Sequence, residues 1–156
     1  MTHSLKLAEI GLVIDKKGEV DITKPLHDCK QNYKGIEFVI SNPLLILLGD
    51  REKISQIFTN IITNGIIHGN ATQIVFKSET KDDRFLMLGI TNNGKPIDLK
   101  IKDIIFNRGF TTSKEDNGLG LYIVQKIVTS HGWQIKLTDL ENVTFTIIIP
   151  LIDVRF

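Results

Sequence analysis

The chain reads as an α+β protein, a two-layer α/β sandwich in which about three helices cover one face of a mixed, mostly antiparallel sheet. Three observations carry that reading. Segments near 51–69 and 119–130 repeat apolar residues at helical spacing, whereas Gln73–Glu79 and Phe85–Thr91 alternate with the period of two of half-buried strands. The two alternating runs flank the charged turn Lys81–Arg84, the arrangement of a hairpin. Composition agrees, since 156 residues with 42% hydrophobic and 24% charged content are enough for one domain with its own core.

The elements follow in order. Residues 1–19 are mixed, and Lys16–Glu19 reads as a turn or linker, which leaves a domain over 20–152. A first helix starts after Asp21, with a polar cap and Pro25 near its entry, and runs to about Tyr33 before Gly35 stops it. Ile36–Ile40 is a strand by β-branched content, Ser41-Asn42-Pro43 turns the chain, and Leu44–Leu48 is a second short strand. Asp50 caps a helix that reaches about Gly69, where Gly69-Asn70 closes it. After the hairpin comes an irregular stretch over 92–118, then a third helix from about Leu119 to Ser130, stopped by His131-Gly132. Trp133–Thr138 and Val143–Pro150 pair as a closing hairpin.

Several function classes fall away at once. Lys plus Arg is 19 and Asp plus Glu 18, a net of +1, without the basic field that nucleic-acid binding leaves. A single cysteine, Cys29, excludes an intrachain disulfide and a zinc site of the Cys-pair type, and reads as a buried small residue. The longest apolar run, Leu44–Leu48, is far too short for a membrane span, and the first eleven residues lack the apolar centre of a signal peptide. A cytoplasmic location is the expectation.

The second helix carries the first chemical signal. At about 100° per residue, Ile54, Ile57, Phe58, Ile61 and Ile62 form one broad apolar face, while Gln56, Asn60, Asn64 and His68 form a row at spacing four. The row drifts, so Asn64 and His68 fall at the edge of the apolar face. An unpaired carboxamide there costs about 1–3 kcal/mol. Either the asparagines bond backbone or water, or they face a ligand; a neutral carboxamide oxygen suits Mg²⁺ that keeps its waters and holds phosphates.

Two glycine-bearing turns follow. In Thr91–Ile97, Gly94 permits a close backbone approach or a positive φ, and Asn92 offers donor and acceptor to a planar heterocycle edge. In Asn117–Leu121, Gly118 and Gly120 directly precede a helix striped by Leu121, Val124, Ile127 and Val128. Free N–H groups at such a helix start bind phosphate, and glycines let it come close. Each turn also reads as a plain loop. Between them, Lys95, Lys100, Lys102, Arg108 and Lys114 against Asp98 and Asp103 give a net of +3, either a solvated loop or a segment that closes over a triphosphate. His131 reads as a helix cap, Trp133 as a packing residue, and His3 and His27 as surface residues.

In this order the signals resemble the catalytic ATP-binding domain of sensor histidine kinases, in the gyrase and histidine-kinase ATPase superfamily with its Bergerat fold. Gly49-Asp50 with Gln56–His68 is similar to the family's asparagine box, and Asn92-Asn93-Gly94 to its first glycine box. Ile105–Thr112 resembles the phenylalanine box, and Gly118–Val124 the second glycine box, followed by His131-Gly132 and the strand Thr144–Pro150. The likeness spans roughly 20–150, and residues 5–14 resemble the end of the helix that precedes this domain in such kinases.

The resemblance implies ATP and Mg²⁺ as cofactors and assigns roles. Asn64 would coordinate Mg²⁺, with Asn60 supporting it one turn earlier as the second catalytic asparagine, and His68 would lie near the phosphates. Asn92 would face the adenine amino group while Gly94 opens the pocket floor. Arg108, Thr112 and Lys114 would reach the γ-phosphate, and Gly118 and Gly120 would cradle phosphates through their N–H groups. Ile97, Phe106, Thr111, Leu119 and Leu121 complete the implied ATP contacts.

Three positions depart from the family pattern. Asn92 stands for the usual aspartate, a neutral and weaker acceptor. Ile67 stands where a Lys or Arg often holds phosphate, and Asp116 replaces a usual glycine. Weaker nucleotide binding is the expectation.

The implied partners are a dimerisation and histidine-phosphotransfer domain and a response regulator. The family's phosphoacceptor motif has at most a chance echo in Thr2-His3-Ser4-Leu5-Lys6, so the phosphorylated histidine is expected elsewhere. Two alternatives stand beside the kinase reading. One is a serine kinase resembling bacterial anti-sigma factors, whose asparagine box Asn64–Gly69 also resembles. The other is a degenerate docking module.

Overall fold

The computed structural model describes residues 18–41, 45–110 and 118–156. Among them lie β1 (Gly18–Asp21), α1 (Thr23–Asn32), β2 (Glu37–Ile40), β3 (Ile46–Gly49) and α2 (Arg51–Thr63), which continues into a π turn over Asn64–His68. Then come β4 (Gln73–Lys81), β5 (Phe85–Asn92), a short 3-10 turn (Leu99–Ile101), α3 (Gly120–Ser130), β6 (Gln134–Asp139), β7 (Thr144–Pro150) and β8 (Val154–Arg155).

The main sheet has the order β2-β4-β5-β7-β6, with β2 parallel to β4 and every other pair antiparallel. This is the predicted mixed sheet, and both predicted hairpins form. The first turns at Asp82 and Asp83, both with φ above +50°, as the tightest hairpin turns require. One face of the sheet is the period-two pattern made solid. Ile74 and Phe76 on β4, Leu86, Leu88 and Ile90 on β5, and Phe145, Ile147 and Ile149 on β7 are all buried.

Against that face pack the helices. The apolar face of α2 is the predicted one, with Ile54, Ile57, Phe58, Ile61 and Ile62 buried and Phe58 meeting Phe76 edge-on at 5.7 Å. Asp50 caps α2 as expected, accepting from the Lys53 N–H at 3.2 Å. Before α1, Asp21 accepts from the Thr23 N–H and hydroxyl at 3.0 and 2.7 Å. In α1, burial pushes the Cys29 thiol up, outweighing the opposing contact with Thr59. The thiol form is therefore favoured by folding, so its contribution to stability falls only as pH rises through the thiol range. Native Cys29 is expected to react with a disulfide reagent far more slowly than the urea-unfolded chain, and equal rates would contradict this burial.

Differences from the sequence expectation concentrate at the ends. Gly18 and Glu19, read as turn or linker, open β1, which pairs with β3; β8, past the expected limit at 152, pairs with the same strand. The order β1-β3-β8 makes a second, three-stranded sheet. Such strands of two to four residues are formed by their partners, with no local signal of their own. The expected linker 1–17 and the turn at Asn42-Pro43 lie outside the described residues.

His131 ties the layers together. It is the C-terminal cap of α3, nine-tenths and more buried, and its Nδ1 donates to the Ile127 carbonyl at 2.8 Å. Its Nε2 accepts the Asp50 N–H at 3.1 Å, and its ring packs 4.5 Å from Trp133. Trp133 is a packing residue, as expected, with its Nε1–H donating to Asp153. Replacing His131 by alanine leaves the Asp50 N–H without its acceptor and opens a hole, an expected loss of about 2–4 kcal/mol in urea unfolding. An unchanged unfolding midpoint would refute the role assigned to this ring.

Candidate functional site

Where α2 ends, its geometry changes. Over Asn64–His68 the helix widens into a π turn, with Gly65 carbonyl oxygen taking both the Gly69 and Ala71 N–H groups. Such turns rotate less per residue than an α-helix, so residues four apart stay aligned where a regular helix would let them drift. Asn60, Asn64 and His68 therefore share one wall of a cleft of about 900 Å³, and Gln56 stays exposed outside it.

The cleft is also lined by Gly118, Gly120 and Leu121 at the start of α3, beside Asn60, and by Lys95, Ile97, Asp98 and Ile101 from the irregular stretch. Ile105, Phe110 and Val143 give it apolar walls. Among the described residues no side chain caps α3, whose first residues Gly120 and Leu121 line the cleft at the positive end of the helix dipole.

The two asparagines differ. The Asn60 amide donates to the Gly120 carbonyl at 3.1 Å and so clips α2 to the first residue of α3. Asn64 lines the cleft half-buried, and neither of its carboxamide atoms is engaged by a described residue. This fits a neutral hard donor for Mg²⁺, an ion that keeps most of its waters and needs few protein ligands. Among the described residues no cluster of three His, Cys, Asp or Glu side chains could hold a metal.

Asn92 ends β5 on the buried face, the next inward position after Leu86, Leu88 and Ile90. It is 5% exposed and lines the cleft. Two glycines make its space. A Cβ at Gly65 would lie 2.7 Å from Asn92 Nδ2, and one at Gly94 would lie 2.9 Å from Asn92 Oδ1 and 2.7 Å from the Gly69 carbonyl oxygen. Of the two readings of Gly94, the close approach holds: its N–H donates to Asn92 Oδ1 at 2.9 Å. The neighbouring Asn93 is structural, with Oδ1 accepting the Thr72 and Gln73 N–H groups.

Gly118 has φ +71° and packs on Gly109, whose N–H donates to its carbonyl at 3.0 Å. Phe106 does not line the cleft; its ring meets Phe145 edge-on at 5.9 Å and anchors the segment to the core. Arg108 and Leu119 also lie outside the lining, Arg108 exposed and Leu119 half-buried. Thr111, Thr112, Lys114 and Asp116 fall outside the described residues. Ile67, where the family often has a cation, is an exposed residue at the cleft edge. Sequence reading did not single out Ile105, Phe110 or Val143 as site residues, although Ile105 and Phe110 belong to a quoted box; Lys95 enters it only as one cation of the irregular stretch.

The match to known proteins follows the same boxes. The family model described as histidine kinase-, DNA gyrase B- and HSP90-like ATPase matches residues 49–153, and the chain belongs to that family. Within it, the relatives are sensor histidine kinases, and the chain is an ATP-binding domain of their kind.

The signal transduction histidine-protein kinase AtoS of Escherichia coli strain K12 is 31% identical over 121 residues, 74% of this chain and 20% of that protein. Sensor histidine kinase ZraS of Salmonella typhi is 32% identical over 121 residues, 75% of this chain and 26% of that protein. The chain thus spans about a fifth to a quarter of the length of these two relatives. The catalytic domain of histidine kinase ThkA superposes with TM-score 0.72 at 28% identity, covering 86% of this chain and 95% of that one.

Proposed function

We propose that this domain binds ATP with Mg²⁺ and donates the γ-phosphoryl group to a histidine on a dimerisation and phosphotransfer domain, in the same full-length protein or in a separate chain. A response regulator would be the final acceptor; a solved structure of ThkA, 28% identical, is a complex with the response regulator TrrA. A cytoplasmic location goes with this reading, and among the described residues no helix is long and apolar enough to cross a membrane.

The observation that carries the proposal is the pairing, in one cleft, of an Asn64 carboxamide that no described residue engages with the N-terminal end of α3. Asn64 would hold Mg²⁺ through its carbonyl oxygen, and the ion would neutralise charge across the phosphate oxygens. Gly118, Gly120 and Leu121 would orient the phosphates through backbone N–H groups. Asn60 would act as a positioning residue, since its amide holds the first residue of α3 in place. Ile97, Ile105 and Val143 would exclude water around the base. Lys95, Arg108, Thr111, Thr112 and Lys114 supply the polar groups from which contacts to the γ-phosphate would come. The acceptor imidazole nitrogen would form a bond to γ-phosphorus as the bond to the β-phosphate oxygen breaks and ADP leaves, with catalysis coming from positioning and charge neutralisation.

The test is phosphotransfer from γ-labelled ATP to the dimerisation domain of a related kinase, followed by acid treatment. Acid-labile label on the added domain supports the proposal. Acid-stable label on serine would favour the anti-sigma type of kinase, and no magnesium-dependent nucleotide binding would favour a docking module.

A further inference from the structure

The carboxamide of Asn92 has one orientation imposed on it. The Gly94 N–H points at it from 2.9 Å, so an acceptor, Oδ1, must stand there; turned over, Nδ2 would set donor against donor. Nδ2 faces the other way, beside Gly65, and no described residue offers it an acceptor. Among the described residues no side-chain nitrogen or oxygen is both sealed from solvent and unpartnered. Nδ2 of a residue only 5% exposed therefore opens on the cleft that Asn92 lines. The site thus presents N–H donors on Nδ2, and Oδ1 keeps a second lone pair beside the one that takes the Gly94 N–H. An aspartate in this place would present acceptors alone.

We infer that the cleft does not select adenine, and that it takes 6-oxopurine nucleoside triphosphates, GTP and ITP, on a par with ATP. The inference rests on the nucleotide-binding reading above and sharpens it. A 6-oxo group accepts from Nδ2, whereas a 6-amino group donates to the free lone pair of Oδ1. Both bonds are between neutral groups and have similar strength. The apolar walls Ile97, Ile105 and Val143 contact ring faces and make no distinction between the bases.

The experiment is displacement of a fluorescent ADP analogue by non-hydrolysable ATP, GTP and ITP analogues with Mg²⁺, on this chain and on Asn92→Asp. The expected result is affinities within about threefold of one another for this chain, and a shift of roughly tenfold towards ATP in Asn92→Asp, the size of one misdirected buried hydrogen bond. An ATP preference of about tenfold or more over both oxopurines in this chain, or an unchanged ratio in Asn92→Asp, overturns the inference while leaving the nucleotide-binding reading intact. Comparable binding of ATP and ITP with GTP rejected overturns the inference for GTP, through its 2-amino group, and upholds it for ITP. No binding of any of the three at millimolar concentration overturns both, with circular dichroism confirming that each protein is folded.

Discussion

Asn64→Ala is expected to abolish the magnesium dependence of nucleotide binding and to lower phosphotransfer by about 10²-fold or more. The magnitude follows from losing one preorganised electrostatic contact to the transferring group, which costs about 2.7–4 kcal/mol where such contacts have been removed singly. Stability should move by less than about 1 kcal/mol, because Asn64 is half-buried and engages no described protein group. Asn60→Ala provides the contrast. It breaks the bond to the Gly120 carbonyl, so it should lower stability and binding together. Calorimetric titration with and without Mg²⁺, beside urea unfolding, separates the two. An Asn64→Ala protein that still binds more tightly with Mg²⁺ than without it would remove Asn64 from the metal site.

Gly118→Ala is expected to be the most damaging small substitution in the molecule, at about 3 kcal/mol or more. Its φ of +71° disfavours any side chain, by about 1–2 kcal/mol. The added Cβ would also lie 2.4 Å from the Gly109 carbonyl carbon and 2.7 Å from the Phe110 carbonyl oxygen, backbone atoms that cannot swing aside. The bond between the Gly109 N–H and the Gly118 carbonyl should break and nucleotide affinity fall with it. Gly120, two residues on, has open space where a Cβ would go and already sits in α3. Gly120→Ala should therefore raise stability by about 0.5–1 kcal/mol. Matching thermal shifts for the two variants would sink this division of labour between adjacent glycines.

Much of this was legible in the chain itself. The apolar faces of α2 and α3, the caps at Asp50 and His131, and both hairpins follow from spacing and turn chemistry, which act over a few residues. Extending the alternation of Leu86, Leu88 and Ile90 by two more positions would also have placed Asn92 on the buried face. What stayed hidden is what depends on distant partners. The π turn over Asn64–His68 has no counterpart in the spacing of apolar residues. Asn60 meets a carbonyl 60 residues away, which no local pattern announces. Phe106, an expected nucleotide contact, instead packs on Phe145, because an aromatic in an irregular segment gains most by joining the nearest core. The strands β1 and β8 exist only because β3 lies between them.

The antiparallel helices α2 and α3 are fastened at both ends, His131 to Asp50 at one and Asn60 to Gly120 at the other. With a buried apolar seam between two such pins, neither helix can slide or roll without breaking a polar bond. The asparagine wall and the start of α3 are thus held at a fixed span. The facing segment, from Lys95 to Phe110, is tied down by the Lys95 N–H on the Gly69 carbonyl, the Ile97 N–H on the Leu140 carbonyl, the Gly109 N–H on the Gly118 carbonyl and the packing of Ile105 and Phe106. A ligand held between Asn64 and the start of α3 would therefore meet a gap of constant width.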